Sequence, residues 1–423
     1  MNPSFAELAE EFGTPLYVYD GDALVDGVTA LRAALHPRLE VFYSLKANPN
    51  IGVFALLRSA GARAEVSSLV ELRTALAAGA DPADVLFLGP GKSDAELAEC
   101  VERGIHAIVC ESFDELGRID RLCAGRGVRQ RVLLRVNPAT AVGGARLTMG
   151  GKPRQFGIDE DAVLAATDVV AGHPHVDLAG VQAYLGTRIL DAAAIAENTR
   201  YVLDLAERVA AATGIGLSTV DIGGGLGVAY FAGEQDLTLA SLAELLNPVL
   251  DAFAVRHPDT RMVLESGRFL TARAGTYLMR VRYVKESMGR RFAVTDGGTH
   301  HHLAAVGIGS FGKRNFPMAL VGRESTEAAE PWQVTGPLCT PNDTVGRDVA
   351  LPPLRVGDLL CVRRSGAYGP TASPGLFLGH GYPAEVVVRD GRARLVRVRD
   401  DPADLLRAQR LPDFAAQLVT QKG

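Results

Sequence analysis

Between about residue 40 and residue 270, short apolar runs alternate with alanine-rich amphipathic stretches eight times, and this alternation constrains the fold more than any other feature of the chain. The runs are VFYSLKA (41–47), RAEVSS (63–68), DVLFLG (84–89), HAIVCES (106–112), RVLLRVNP (131–138), LAGVQAYLG (178–186), STVDIGGG (218–225) and RMVLES (261–266). Intervening segments such as SLVELRTALAAG and ENTRYVLDLAERVAAATG space apolar residues at i, i+3 and i+4 and end at glycine, as helices do. Strand–helix alternation implies a parallel sheet, because a crossover helix returns the chain to the same end. Eight such units in roughly 230 residues match a closed (β/α)8 barrel. An open doubly wound sheet would leave the count of eight unexplained.

After about residue 275 the pattern changes. TYLMRVRYVKES, RRFAVTDGG, DLLCVRRSGAY and AEVVVRDGRARLVRVR read as alternating strands with Gly, Pro and Asp turns between them. The DG pair in VVVRDGRARLV is a hairpin signal. The expected architecture is an α/β barrel over 36–275 followed by an antiparallel β domain over 276–423. The segment 1–35 carries another strand-like run, GTPLYVYD (13–20), that is expected to pair with the β domain. A net charge of −5 and pI near 6.0 argue against a nucleic-acid partner. The longest apolar runs are too short to cross a membrane, and the acidic start MNPSFAELAEEFG lacks the apolar core of a secretory signal. Cys100, Cys110, Cys123, Cys339 and Cys361 are odd in number with no CxxC spacing, which fits a reducing cytoplasm.

In a barrel of this type, chemistry gathers where strands end. Lys46 ends the first run, in a chain with six lysines against 38 arginines, so an amine rather than a mere charge is wanted there. Ser67 and Ser68 end the second run, and Arg135 with Asn137 the fifth. Tyr184 ends the sixth, Gly223, Gly224 and Gly225 follow the seventh, and Glu265 with Arg268 follows the eighth. Three glycines let backbone N–H groups converge on an anion, although a plain turn explains one of them. Glu265 reads as a surface acid or as a carboxylate aimed at a ring nitrogen. Lys46 reads as a snorkelling surface lysine or, buried near a phosphate, as a neutral amine able to form an imine. Amine, phosphate cradle and ring-nitrogen acid are the three handles that pyridoxal phosphate requires.

VFYSLKANPN then resembles the lysine motif of the fold-type III pyridoxal-phosphate-dependent decarboxylases, the group of diaminopimelate, ornithine and arginine decarboxylases. GTPLYVYD, AEVSSLVEL, LRVNP, QFGID, DIGGGLG, ESGRFL, GPLCTPND, GDLLCVRRSGAYG and PAEVVV follow in the family's order over about 370 residues. The resemblance implies that Lys46 forms the cofactor imine and Glu265 pairs with the pyridinium nitrogen. It implies that Gly223–Gly225, Arg268 and Tyr368 surround the phosphate. Cys339 matches the cysteine that protonates the product across a homodimer interface. The implied reaction is decarboxylation of an α-amino acid through imine and carbanionic intermediates, with Cys339 or Lys46 returning a proton to Cα.

The chain departs from the common pattern in several places. Gln182 and Tyr184 stand in GVQAYLGT where the family commonly has two histidines, and Tyr184 can still stack on a ring. Thr340 follows Cys339 where relatives acting on diamino acids carry an acid; a hydroxyl cannot supply that charge-assisted bond, so such substrates are disfavoured. Gln155 replaces a lysine tied to an interface ion pair. GTHHHLAAVGIGSFGKRNFPM and SPGLFLGHGYPAEVVV resemble instead the natural-product branch, which includes carrier-protein-linked glutamyl decarboxylases. Lys313 and Arg314 would then meet a substrate carboxylate or a carrier's phosphopantetheine phosphate, or form a solvated basic turn. His300–His302 are read as strand residues whose alternating faces rule out one shared ion, so no metal is expected. The Gly-rich run within 139–159 is expected to act as a mobile lid. Two other readings stay open: a racemase on the same fold, and a catalytically silent regulatory homologue.

Overall fold

The structure is a computed structural model describing residues 2–139, 147–148, 153–306 and 314–412. All eight expected strands form: Leu39–Ser44, Arg63–Val66, Val85–Phe87, Ala107–Cys110, Gln130–Asn137, Val176–Gln182, Thr219–Asp221 and Arg261–Ser266. They are called barrel strands one to eight. Each pairs in parallel with the next. Strand eight pairs with strand one through Glu265↔Phe42 and Ser266↔Tyr43, and this pairing closes the barrel.

Side-chain alternation along the strands sorts the residues into two layers. Phe42, Leu86, Val109, Leu133, Ala179 and Val263 fill the interior as a separate cluster. The opposite faces join the large core beneath the helices, with Tyr43, Ala64, Ile108 and Met262 fully buried. The helices begin where side chains can satisfy their free N–H groups. Ser93 and Glu96 make a reciprocal capping box for Asp94–Arg103, and Gly104 ends that helix in the left-handed region at φ 63°.

Among the described residues the second domain is one nine-stranded sheet, largely antiparallel as expected, with two parallel pairings that refine the expectation. Leu16–Asp20 lies between Gly275–Ser287, antiparallel to it, and Ala384–Arg389, parallel to it. Arg290–Thr295 also runs parallel to Glu330–Thr335. In both parallel pairs a long connection joins the strands, so no tight hairpin forces them to oppose. The DG signal does give a hairpin: Asp390 and Gly391 have φ 49° and 73° between Ala384–Arg389 and Arg392–Arg397.

His300–His302 correct another expectation. They form a tight turn rather than a strand, so all three are buried together, with the His300 and His301 rings 3.8 Å apart. His301 spans the Tyr277 hydroxyl and the Gly381 carbonyl, and His302 meets the Ser365 hydroxyl. Among the described residues no His/Cys/Asp/Glu cluster is arranged to hold a metal ion, and no helix is long and apolar enough to cross a membrane.

Candidate active site

The ends of strands one, six, seven and eight border a cavity lined by Ser44, Lys46, Tyr184, Thr187, Gly224, Gly225, Glu265, Arg268 and Tyr368. Residues from five separated parts of the chain thus meet in one place. Lys46 sits on a single 3-10 turn, Leu45–Ala47, directly after strand one. That turn is fixed from the second domain by the Tyr368 N–H, which donates to the Ala47 carbonyl at 2.7 Å.

The Lys46 side chain is 42% exposed, and its amine meets a buried carboxylate. Its Nζ lies 3.0 Å from Glu65 Oε2, on strand two. Burial pulls its pKa down, but Glu65 and Glu265 outweigh this and hold it above the ordinary lysine value. The amine is therefore an ammonium in this state. Glu65 is fully buried and also accepts from Ser67 Oγ at 3.2 Å. It could have been found in the sequence, because an acid inside the strand run RAEVSS points into the barrel.

Glu265 is 3% exposed and accepts from Gln182 Nε2 at 2.8 Å. Burial first, then the charge of Glu65, push its pKa up, while Lys46, Arg135 and Gln182 act the other way. Asp221, likewise overlooked in the sequence, is fully buried on strand seven, and burial with the charge of Glu265 raises it well above the usual carboxylate range. Tyr184 borders the cavity, and burial pushes its phenol up to about 12.

The glycine loop leaves room where side chains would intrude. A Cβ on Gly224 would lie 2.2 Å from the Glu265 carbonyl, and one on Gly225 2.4 Å from the Gly186 carbonyl. Gly223 instead takes φ 68° and sends its N–H to Asp221 Oδ1 at 2.8 Å; it is not among the cavity-lining residues. Arg268 stacks 4.5 Å over the Tyr368 ring and donates to the Tyr230 hydroxyl at 3.1 Å. An amine, a guanidinium beside close-packed backbone, a ring-sized aromatic wall and a buried acid fit pyridoxal phosphate handle by handle.

Other expected residues lie around the cavity rather than on it. Ser68 caps the helix Leu69–Ala77, Arg135 pairs with Glu111 at 2.7 Å, and Asn137 donates to Asp159 at 2.8 Å. Cys339 is exposed and does not line the cavity. Arg314 is exposed, 5.6 Å over the Phe231 ring; Lys313 and most of the Gly-rich run in 139–159 lie outside the described residues.

A family model described as "Pyridoxal-dependent decarboxylase, pyridoxal binding domain" matches residues 23–272. The L-glutamyl-[BtrI acyl-carrier protein] decarboxylase of Niallia circulans is 39% identical over 406 residues, covering 95% of each chain. The diaminopimelate decarboxylase of Methanothermobacter thermautotrophicus is 34% identical, over 96% of this chain and 94% of its own. Among solved structures, the M. jannaschii diaminopimelate decarboxylase in complex with L-lysine has a TM-score of 0.87 at 27% identity, over 97% of this chain and 95% of its own. The Helicobacter pylori enzyme in complex with L-lysine has a TM-score of 0.85 at 28% identity, over 95% and 98%. The chain therefore belongs to the fold-type III pyridoxal-phosphate-dependent decarboxylases and is a carboxy-lyase of that family.

Proposed function

We propose that this enzyme decarboxylates an α-amino acid whose far end carries no ammonium, presented as a thioester on an acyl carrier protein. The observation that carries this reading is the loop after Cys339. Thr340 stands where an acid would grip a distal ammonium, and the loop's one carboxylate, Asp343, is turned inward. Asp343 accepts from the Thr299 N–H at 2.7 Å, the Thr299 hydroxyl at 2.9 Å and the Leu338 N–H at 2.8 Å. A buried ammonium without a carboxylate partner is strongly disfavoured. The similarity to a carrier-linked glutamyl decarboxylase supports the same reading.

In this reading Lys46 would hold the cofactor covalently, Glu265 would face its ring nitrogen and Tyr184 its ring. Gly224, Gly225, Arg268 and Tyr368 would surround its phosphate, with Thr187 beside them and Gly223 shaping the loop from behind. When bound, pyridoxal phosphate supplies an electron sink for the charge left at Cα as CO₂ departs. Glu65, 3.0 Å from Lys46, is placed to take the ammonium proton and return it. Glu265 keeps negative charge at the ring-nitrogen end, where it favours a protonated ring. Cys339, exposed on its own subunit, would deliver a proton to Cα in the site of a second copy, making a homodimer the working unit. A cytoplasmic place in natural-product assembly agrees with a carrier-bound substrate.

The test presents free amino acids and carrier-protein aminoacyl thioesters in parallel and measures CO₂ release. Release from a thioester such as glutamyl-carrier is expected. Release from free lysine or diaminopimelate alone would overturn the proposal.

A further inference from the structure

We propose that Asp221 is retained as a neutral carboxylic acid and that, with Gln182, it acts as a positioning pair that leaves Glu265 the anionic member of the Asp221–Glu265 pair. This rests on the reading of Glu265 as the ring-nitrogen partner and goes on to assign how that acid is held.

The three residues sit on neighbouring strands. Asp221 on strand seven is the register partner of Gln182 on strand six, about one strand spacing away. Glu265 is on strand eight, its N–H bonded to the Gly223 carbonyl at 2.8 Å. Gln182 and Asp221 are fully buried and Glu265 nearly so.

Their hydrogen bonds leave two atoms over. Gln182 Nε2 donates to Glu265 Oε1 at 2.8 Å, and Asp221 Oδ1 accepts from the Gly223 N–H at 2.8 Å. Gln182 Oε1 and Asp221 Oδ2 are both buried without a partner. If Asp221 were ionised, its Oδ2 would be a buried acceptor left unsatisfied, and a second buried anion would stand beside Glu265. A proton on Asp221 Oδ2 turns that orphaned acceptor into a donor facing the Glu265 carboxylate. It also removes like-charge repulsion, which agrees with burial and the Glu265 charge both opposing ionisation of Asp221.

The charges reaching Glu265 explain why it, and not Asp221, keeps the negative charge. Lys46 and Arg135 both favour its ionised form and Gln182 donates to it, against the opposing charge of Glu65. A histidine at position 182 would gain and lose a proton near neutral pH. The glutamine amide does not titrate, so its donor is present throughout.

The first readout needs no cofactor. With Glu71→Gln in the background to remove the other carboxyl that holds a proton near neutral pH, the infrared spectrum of the cofactor-free protein at pH 7 should contain a protonated-carboxyl stretch that is lost on adding Asp221→Asn. An unchanged band in that variant would overturn the proposal. Should Asp221→Asn fail to fold, ¹³C-aspartate labelling of the wild-type chain decides, because a protonated-carboxyl band must then shift; no shifting band overturns it. The second readout is cofactor affinity by titration. Asp221→Asn, which keeps a neutral donor, should bind pyridoxal phosphate within about threefold of wild type. Gln182→Leu should weaken binding about tenfold or more, as loss of one hydrogen bond to a charged group implies, and Gln182→His should restore part of it. Wild-type affinity in Gln182→Leu would overturn the positioning role. Because the infrared result is obtained without turnover, its failure would leave the substrate reading untouched.

Discussion

Lys46 and Lys92 each meet a carboxylate, and their surroundings separate them: Lys92 is buried, whereas the Lys46 side chain is 42% exposed. Lys92 spends its ammonium on the carbonyls of Gly89 and Val109 and on Glu115, at 2.6–2.8 Å, so it is a strut between strand ends. Lys46 has one carboxylate partner and borders the cavity. Borohydride reduction of the cofactor-loaded protein followed by peptide mass analysis should therefore find the pyridoxyl adduct on Lys46, and none in Lys46→Arg; an adduct on Lys92 would contradict the assignment. Glu71 offers a second test. Burial pushes its pKa up to about 7 against the Ser67 N–H bond. The folded state thus holds a proton that the unfolded chain has released above about pH 4.5. Stability should fall as pH rises from about 4.5 to about 7, by at most about 3 kcal/mol, and Glu71→Gln should flatten that fall in melting curves at pH 5 and 7.5. Lys46, Glu265 and the glycines were legible because their residue types contradict the strands they end. Glu65 and Asp221 were missed because attention to strand ends passes over acids inside the runs, although a barrel strand buried on both faces leaves such an acid no solvent to face.

At the scale of elements, the βα alternation carried the barrel, since a period of 3.6 switching to apolar strand runs is written in every unit. The second sheet was legible as strands, and the pairing of the run 13–20 with it was expected and is found; which two strands flank Leu16–Asp20, and that one of them is parallel, was not legible, because nothing local in it specifies neighbours more than 250 residues away. The histidine run was misread for a related reason: flanking Gly297 and Gly298 turn the chain, and the burial of all three rings depends on contacts with Tyr277, Ser365 and Gly381. The glycine loop after strand seven is the element on which the site most depends. Gly224→Ala would drive a methyl group into the Glu265 carbonyl. It should lower stability by about 1–3 kcal/mol in denaturant melts and weaken cofactor binding by more than tenfold in titration. Unchanged affinity would show that the loop has slack that the packing here denies.

At the scale of the whole molecule, the amine and the proposed proton donor are held apart. Lys46 lies inside the barrel mouth, while Cys339 is exposed on the loop that Asp343 pins to Thr299. Four of the five cysteines are buried in the core, so Cys339 is the one whose thiol is presented outward. That separation is what a site shared between two copies requires, with a two-fold interface placing each copy's loop at the other's barrel. Mixed dimers test it most directly. Lys46→Ala and Cys339→Ala are each expected to release little CO₂ from the substrate that the wild type uses. Dissociated and reassociated in equal amounts, half of the dimers would pair one of each, and each such dimer would hold one intact site, restoring about one quarter of wild-type activity. Recovery to about that level is the expected result; a mixture no more active than the two variants alone would contradict an active centre built from Lys46 of one copy and Cys339 of another.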